Sequence, residues 1–420
     1  MLTQLRNLSK LITVYCAILL CLSLNASVLE VGRGKTYSSI SVAITSAKPG
    51  DTVLVFEGLY KEGTIEIMTP VVLLGVNDPV IDGENKYSLL RVTVDSVTIK
   101  GLVLMNVGVS HVEDRSAIRI IKSDHCLIES NKLMNTFFGI YLEHCKDCII
   151  RNNTIIGKAG YEMNSGNAIH LWYCKNITIA ENHAEGHRDG IYLEFVDNSR
   201  IENNYVIDNL RYGLHFMFSD NDHYLYNRFI SNGAGVAVMF SKTIRMEKNE
   251  FSDNWGSSSY GLLLKDITDS EIRLNYFNQN TVGIYCESVS RTNIVNNDFS
   301  QNGWALKILG SCSANSVQKN NFMNNTFDVA TNSSRNYNNY DGNFWSDNSG
   351  SYDLNGDGVS DVPYRPVKLF SYLIGNIQSA TILMRSLLID LINYAEKIAP
   401  VITPYNLMDS NPMMRRIDHD

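Results

Sequence analysis

A step of about 22 residues recurs along this 420-residue chain, and a chain that repeats on so short a step buries its apolar side chains by stacking like coils on one another. One anchor is a glycine that opens an alternating segment, as in Gly139-Ile-Tyr-Leu, Gly190-Ile-Tyr-Leu, Gly213-Leu-His-Phe, Gly235-Val-Ala-Val, Gly261-Leu-Leu-Leu and Gly283-Ile-Tyr-Cys. The other is an asparagine after a short apolar run: Asn131, Asn153, Asn182, Asn204, Asn227, Asn249, Asn275, Asn297 and Asn321. Alternation with period two makes these segments strands with one buried face, and Gly and Asn tolerate the positive φ that tight corners need. The expected fold is all-β: a right-handed, single-stranded parallel β-helix of about a dozen coils, with the asparagines stacked as a hydrogen-bonded ladder. Departures from the step predict excursions at Gly157 to Gly166 and Trp255 to Tyr260.

The ends differ from the middle, as a solenoid requires. Arg6 and Lys10, then the apolar Leu11 to Leu24 and the small residues ending at Ala26, read as an export signal over residues 1–26. Cys21 lacks the small residues of a lipoprotein signal before it, so soluble release is expected rather than a lipid anchor. The coils and an N-terminal cap are expected over 27–340, the cap being a short helix started by Ser38 and followed by the strand Val53 to Phe56. A calcium-loop-like motif occupies 341–366, and a helical tail with an amphipathic stretch near Ile377 to Lys397 occupies 367–420. Arg385 and Asp390 interrupt the longest late apolar run, so no transmembrane span is expected once the signal is cleaved. A formal charge of −8 argues against a phosphate-binding surface, which excludes nucleic acid as a partner.

The strand alternation aligns chemistry between coils. In Gly213-Leu-His-Phe-Met-Phe218, Leu214, Phe216 and Phe218 are expected inward and His215 and Met217 outward. Met239 falls one coil after Met217, Tyr192 and Glu194 one coil before His215 and Met217, and His170 and Trp172 a coil earlier still. Thioether and imidazole donors together suit a soft cation such as Cu(I). His215, Met217 and Met239, with Glu194, are therefore the candidate copper ligands; the alternative is that the methionines lie under the tail or a partner. Asp353-Leu-Asn355-Gly-Asp357-Gly-Val359-Ser-Asp361 opens like a calcium loop, with Asp353, Asn355, Asp357, the Val359 carbonyl and Asp361 as candidate ligands. Position twelve is Tyr364 rather than Glu, so an Asx-turn loop is the alternative.

Six cysteines remain after the signal: Cys126, Cys145, Cys148, Cys174, Cys286 and Cys312. Cys126 falls one coil before Cys148, and Cys145 one before Cys174, which fits stacked small side chains and leaves disulfide or metal roles open. The carboxylates Glu143, Asp189, Glu194 and Asp208 raise a different class of function, a secreted polysaccharide lyase or hydrolase or a carbohydrate binder, because two placed carboxylates suffice for glycosidic cleavage.

Several motifs carry a family resemblance over essentially the whole mature chain: Arg211-Tyr-Gly-Leu-His-Phe-Met217, Gly235-Val-Ala-Val-Met-Phe240, Gly261-Leu-Leu-Leu264, Gly342-Asn-Phe-Trp-Ser-Asp347, Asp353-Leu-Asn-Gly-Asp-Gly358, Pro363-Tyr-Arg-Pro366 and Met408-Asp-Ser-Asn-Pro-Met-Met414. The chain resembles the NosD family, maturation factors of nitrous oxide reductase. That resemblance implies a non-catalytic periplasmic protein that works with the membrane subunits of an ABC transporter and a copper chaperone lipoprotein to assemble the reductase's copper centres. A "carbohydrate-binding and sugar hydrolysis" label also attaches to such repeats and describes fold rather than activity. Met413, Met414 and His419 form a second group of soft donors, expected to serve as a docking tail.

Overall fold

The computed structural model describes residues 26–333, 335–348, 352–368 and 407–419, together with 370, 387, 391, 392 and 394. The expected export signal and most of the expected amphipathic helix lie outside these residues. The chain winds as a right-handed parallel β-helix whose coils contribute strands to three parallel sheets of 14, 13 and 12 strands, more coils than the repeat count suggested. A representative coil runs Thr98–Lys100 in the first sheet, Val103–Met105 in the second and Ser116–Ile121 in the third. Strands continue to Asn339–Asp341 and Phe344–Trp345, so the last coil forms beyond Asn325.

Both sequence anchors do a different job from the one composition suggests. Gly139, Gly190, Gly213, Gly235, Gly261 and Gly283 do not have positive φ. A Cβ at Gly190 would lie 2.3 Å from Val206 and 2.6 Å from the Gly213 carbonyl, so the coil above demands the missing side chain. Left-handed backbone falls instead on the residue just before the ladder asparagine, whatever it is: Asn203 (φ 54), Tyr226 (φ 55), Lys248 (φ 54), Leu274 (φ 57). Asparagine is needed one residue later for its amide. The side chains of Asn131, Asn153, Asn182, Asn204, Asn227, Asn249, Asn275, Asn297 and Asn320 each donate to Oδ1 of the next at 2.9 to 3.0 Å, ending on Asn343. The member in the penultimate coil is Asn320, not Asn321, whose amide turns instead to Asp298 and the Ile417 carbonyl.

A second ladder stands five residues downstream. The backbone N–H groups of Asn209, Asn232, Asn254, Asn280 and Asn302 each donate to Oδ1 of the next member, ending on Asn325, at 3.0 to 3.3 Å. Satisfying these buried amides is what lets coils close with so few residues, since an unpaired buried polar group costs about 1–3 kcal/mol. Between the ladders the core is a stack of rings, Phe229, Phe251, Phe277, Phe299, Phe322 and Trp345, with centroids 4.2 to 5.6 Å apart. At the N-terminal end the helix Ile40–Ser46 covers the first coil. Its cap is Ser39 rather than Ser38, because Glu62 from the next turn of chain accepts from Ser39 Oγ, Ile40 N and Ser41 N and fixes the start there. The excursions at 157–166 and 255–260 leave the third sheet's side, and a further one, Val107 to Arg115, was not marked by the step.

Candidate functional site

The outer face of the third sheet carries the aligned chemistry. His170, Tyr192 and His215 stand in one column, and Trp172, Glu194, Met217 and Met239 in the next. The register therefore brings together the four expected copper ligands on neighbouring strands, roughly 4.8 Å apart. Met217, Met239 and Glu194 are half-buried, and Glu194 accepts the Tyr192 hydroxyl at 3.3 Å.

His215 is the unusual member. It is 7% exposed, packed edge-on to Tyr192 at 5.1 Å and tilted against Tyr212 at 4.8 Å, and among the described residues neither ring nitrogen has a hydrogen-bond partner. Burial, against the opposing pull of Asp189 and helped by Arg211 and Arg188, lowers its imidazole to about 4. The ring is thus neutral at pH 7, the form in which imidazole binds metal. A buried imidazole with both nitrogens free, next to a register pair of thioethers, fits a soft ion.

Phe218 departs from expectation. The strand ends at Met217, the chain turns through left-handed φ (51°), and the alternation stops, so Phe218 is 42% exposed instead of inward. It stacks between Phe195 and Phe240 at 5.1 Å from each, and Phe195 stacks on Tyr173 at 4.5 Å. A ladder of rings thereby runs along the edge of the methionine column, one residue beyond it in each coil.

The carboxylates considered for catalysis are largely committed. Arg119 holds Glu143 at 2.9 Å, and Arg211 grips the fully enclosed Asp189 through Nε at 3.0 Å and Nη2 at 2.6 Å. Asp208 lies just past a strand of the second sheet.

The cysteines occupy turn columns. Cys148 Sγ accepts the Cys126 backbone N–H at 3.4 Å, as Ser199 Oγ accepts that of Ile177 and Asp222 Oδ1 that of Ser199. In the neighbouring column Cys312 Sγ accepts Val289 N–H as Ser219 Oγ accepts Val196 N–H. Cys145 Sγ lies against the Ile120 and Glu143 carbonyls, and all six thiols are free and buried. Here cysteine stands in for serine and asparagine as a filler of the turn.

The loop at 353–361 is held by its own donors. Asp353 accepts from Gly356, Asp357 and Gly358 N–H, Asn355 from Asp357, Asp357 from Val359, and Asp361 from Leu354. These bonds form the Asx-turn network that shapes the loop. Among the described residues no group of three His, Cys, Asp or Glu side chains is arranged to hold a metal.

Residues 157–350 match the family model described as periplasmic copper-binding protein (NosD), and residues 30–223 match one described as a protein of unknown function, DUF1565. Two relatives share the name probable ABC transporter binding protein NosD. That of Stutzerimonas stutzeri is 26% identical over 374 residues, spanning 84% of this chain and 85% of its own. That of Pseudomonas aeruginosa is 28% identical over 356 residues, spanning 80% and 82%. The chain is similar to the NosD family over most of its length. Solved structures with the same fold include PfbA, a surface adhesin of Streptococcus pneumoniae (TM-score 0.57, 12% identity, 70% of this chain and 88% of that one). Another is the catalytic unit of a GH87 α-1,3-glucanase from Streptomyces thermodiastaticus (TM-score 0.57, 13% identity, 77% and 67%). At such identities they establish the architecture and nothing about activity.

The tail motif seals the helix rather than hanging free. Met413 pairs with Phe344 and donates its N–H to Asn343 O at 2.9 Å. Met414 N–H donates to Gly358 O at 2.9 Å, and His419 lies 3.3 Å from Asp298 and 2.9 Å from the Lys319 carbonyl. Asp409, which sequence reasoning passed over, is fully buried beneath Trp345 and Asn343. No local pattern marks it, because its partners in the last coil are more than sixty positions away. No helix among the described residues is long and apolar enough to cross a membrane.

Proposed function

We propose that this protein is a periplasmic, non-catalytic accessory factor that handles copper and acts with an ABC transporter and a copper chaperone lipoprotein in assembling the copper centres of nitrous oxide reductase. The family model's description as a periplasmic copper-binding protein and the relatives' names support that placement. The observation that carries the copper part is His215: nine-tenths buried, neutral, with both ring nitrogens unpartnered beside the registered pair Met217 and Met239. Copper is cargo here, held by one imidazole and two thioethers with Glu194 at the margin. That donor set favours Cu(I) and disfavours hard divalent ions.

A Cu(I) competition titration against a coloured chelator tests this on the mature protein and on Met217→Ile/Met239→Ile. Tight binding in the wild type that weakens by tenfold or more in the variant is the expected result. Equal binding in both moves the site elsewhere. If neither binds, the copper reading falls, and cleavage of uronan or glucan substrates becomes the assay to run.

A further inference from the structure

In the third sheet Gly213, Gly235, Gly261, Gly283 and Ala305 occupy one column, and Asp328 fills it in the last coil. The small residues are obligatory wherever another coil follows: a Cβ at Gly283 would lie 2.5 Å from the Ala305 carbonyl and 3.1 Å from the Phe299 ring. No strand of this sheet follows Phe327–Ala330 among the described residues, so space exists there for a carboxylate. It is nevertheless covered. Val367 pairs with Val329, Phe370 packs on Phe327 at 6.3 Å, and Asp328 is left 2% exposed. Oδ1 accepts the Asn325 amide at 3.3 Å, while Oδ2 has no partner among the described residues.

Among the described residues the charged groups facing it are Asp347 and Lys368, and these two are paired with each other. Lys307 of the preceding strand lies on the outer side over Tyr285 and Trp304. An enclosed carboxyl with an unmet oxygen and its nearest cation already engaged is stable when protonated and costly when ionised. We propose that Asp328 is a proton-operated latch on the C-terminal closure of the β-helix: protonated it lies quietly beneath Val367 and Phe370, and ionised it loosens that cover.

Burial, with Asp347 adding to it and Asn325 and Lys368 opposing, pushes the closed-state carboxyl up to about 7. An exposed aspartate titrates near 3.9, so between about pH 4 and 7 the closed form holds a proton that the open form lacks. Opening therefore becomes easier as pH rises through that window, by about tenfold per unit, and levels off above it.

Amide hydrogen exchange of peptides spanning Phe327–Ala330 and residues 364–368, corrected for intrinsic rates, reads this directly between about pH 5 and 8. The expected wild-type result is exchange that rises with pH and then levels near 7, with Asp328→Asn flat throughout. Should Asp328→Asn fail to fold, Asp347→Asn removes an exposed like charge and frees Lys368, and the levelling point moves to lower pH. Wild-type exchange independent of pH overturns the proposal, as does an unchanged profile in either variant.

Discussion

The side-chain amide of Asn343 donates to Asp409 Oδ2 at 2.9 Å, and with that bond the asparagine ladder that begins at Asn131 ends on a carboxylate. The same oxygen accepts Asn343 N–H and Trp345 Nε1–H at 3.0 Å each, and Oδ1 accepts Gly342 N–H at 3.1 Å. Asp409→Ala strands four donors in the last coil. A loss of about 3 kcal/mol or more is expected in urea unfolding, with Asp409→Asn milder because it keeps one acceptor. Unchanged stability in Asp409→Ala would mean the tail contributes nothing to closure.

His215→Phe separates function from structure. The imidazole satisfies neither nitrogen, so an apolar ring of similar shape leaves stability the same or raises it by about 1 kcal/mol. Copper affinity is expected to drop by at least tenfold in the same variant. Marked destabilisation would instead give His215 a structural task.

Acid stability follows from buried imidazoles. Burial lowers His170 to about 3 and His187 and His215 to about 4, all below the ordinary value near 6.5. The unfolded chain thus takes up protons that the folded chain refuses. The stabilisation is complete above about pH 6.5 and lost as pH falls toward 4. Urea titrations at pH 7 and about pH 5 are expected to show the loss, on the order of 1 to 2 kcal/mol per histidine, with His215→Phe losing less than the wild type. An identical acid loss in that variant would clear His215 of any part in it.

Cys148→Ser and Cys312→Ser are expected to change stability by less than about 1 kcal/mol, because serine already fills these columns in other coils. In the folded wild type a thiol reagent should find no rapidly reacting cysteine among the six, and all of them after denaturation. Rapid labelling of the native protein would sink the filler role.

The fold was readable because a solenoid writes its spacing into the chain: the glycine and asparagine positions predicted the sheet register at His215, Met217 and Met239 to the residue. The reasons behind those positions were not readable. Glycine meets a carbonyl from the coil above, and asparagine serves its amide while Tyr226 or Leu274 takes the left-handed turn, because stacked coils override local preference. The second ladder is written in the five-residue offset from Asn204 to Asn209 and from Asn227 to Asn232, where asparagine on its own reads only as a turn residue. Phe218 turned outward because a strand's end cannot be placed from alternation alone. Asp409 and Asp328 depend on where the last coil stops, which no local pattern states.

The ladder from Asn131 to Asn343 has a direction. Every side-chain amide in it donates to the oxygen of the next coil's amide and back to a backbone carbonyl of the previous coil, and the series ends on the carboxylate of Asp409. Whole coils can in principle be gained or lost from the middle without breaking that series. The end that faces Asp409 has no such freedom, so changes in the molecule's length across its relatives should accumulate within the barrel of coils and spare the closing segment.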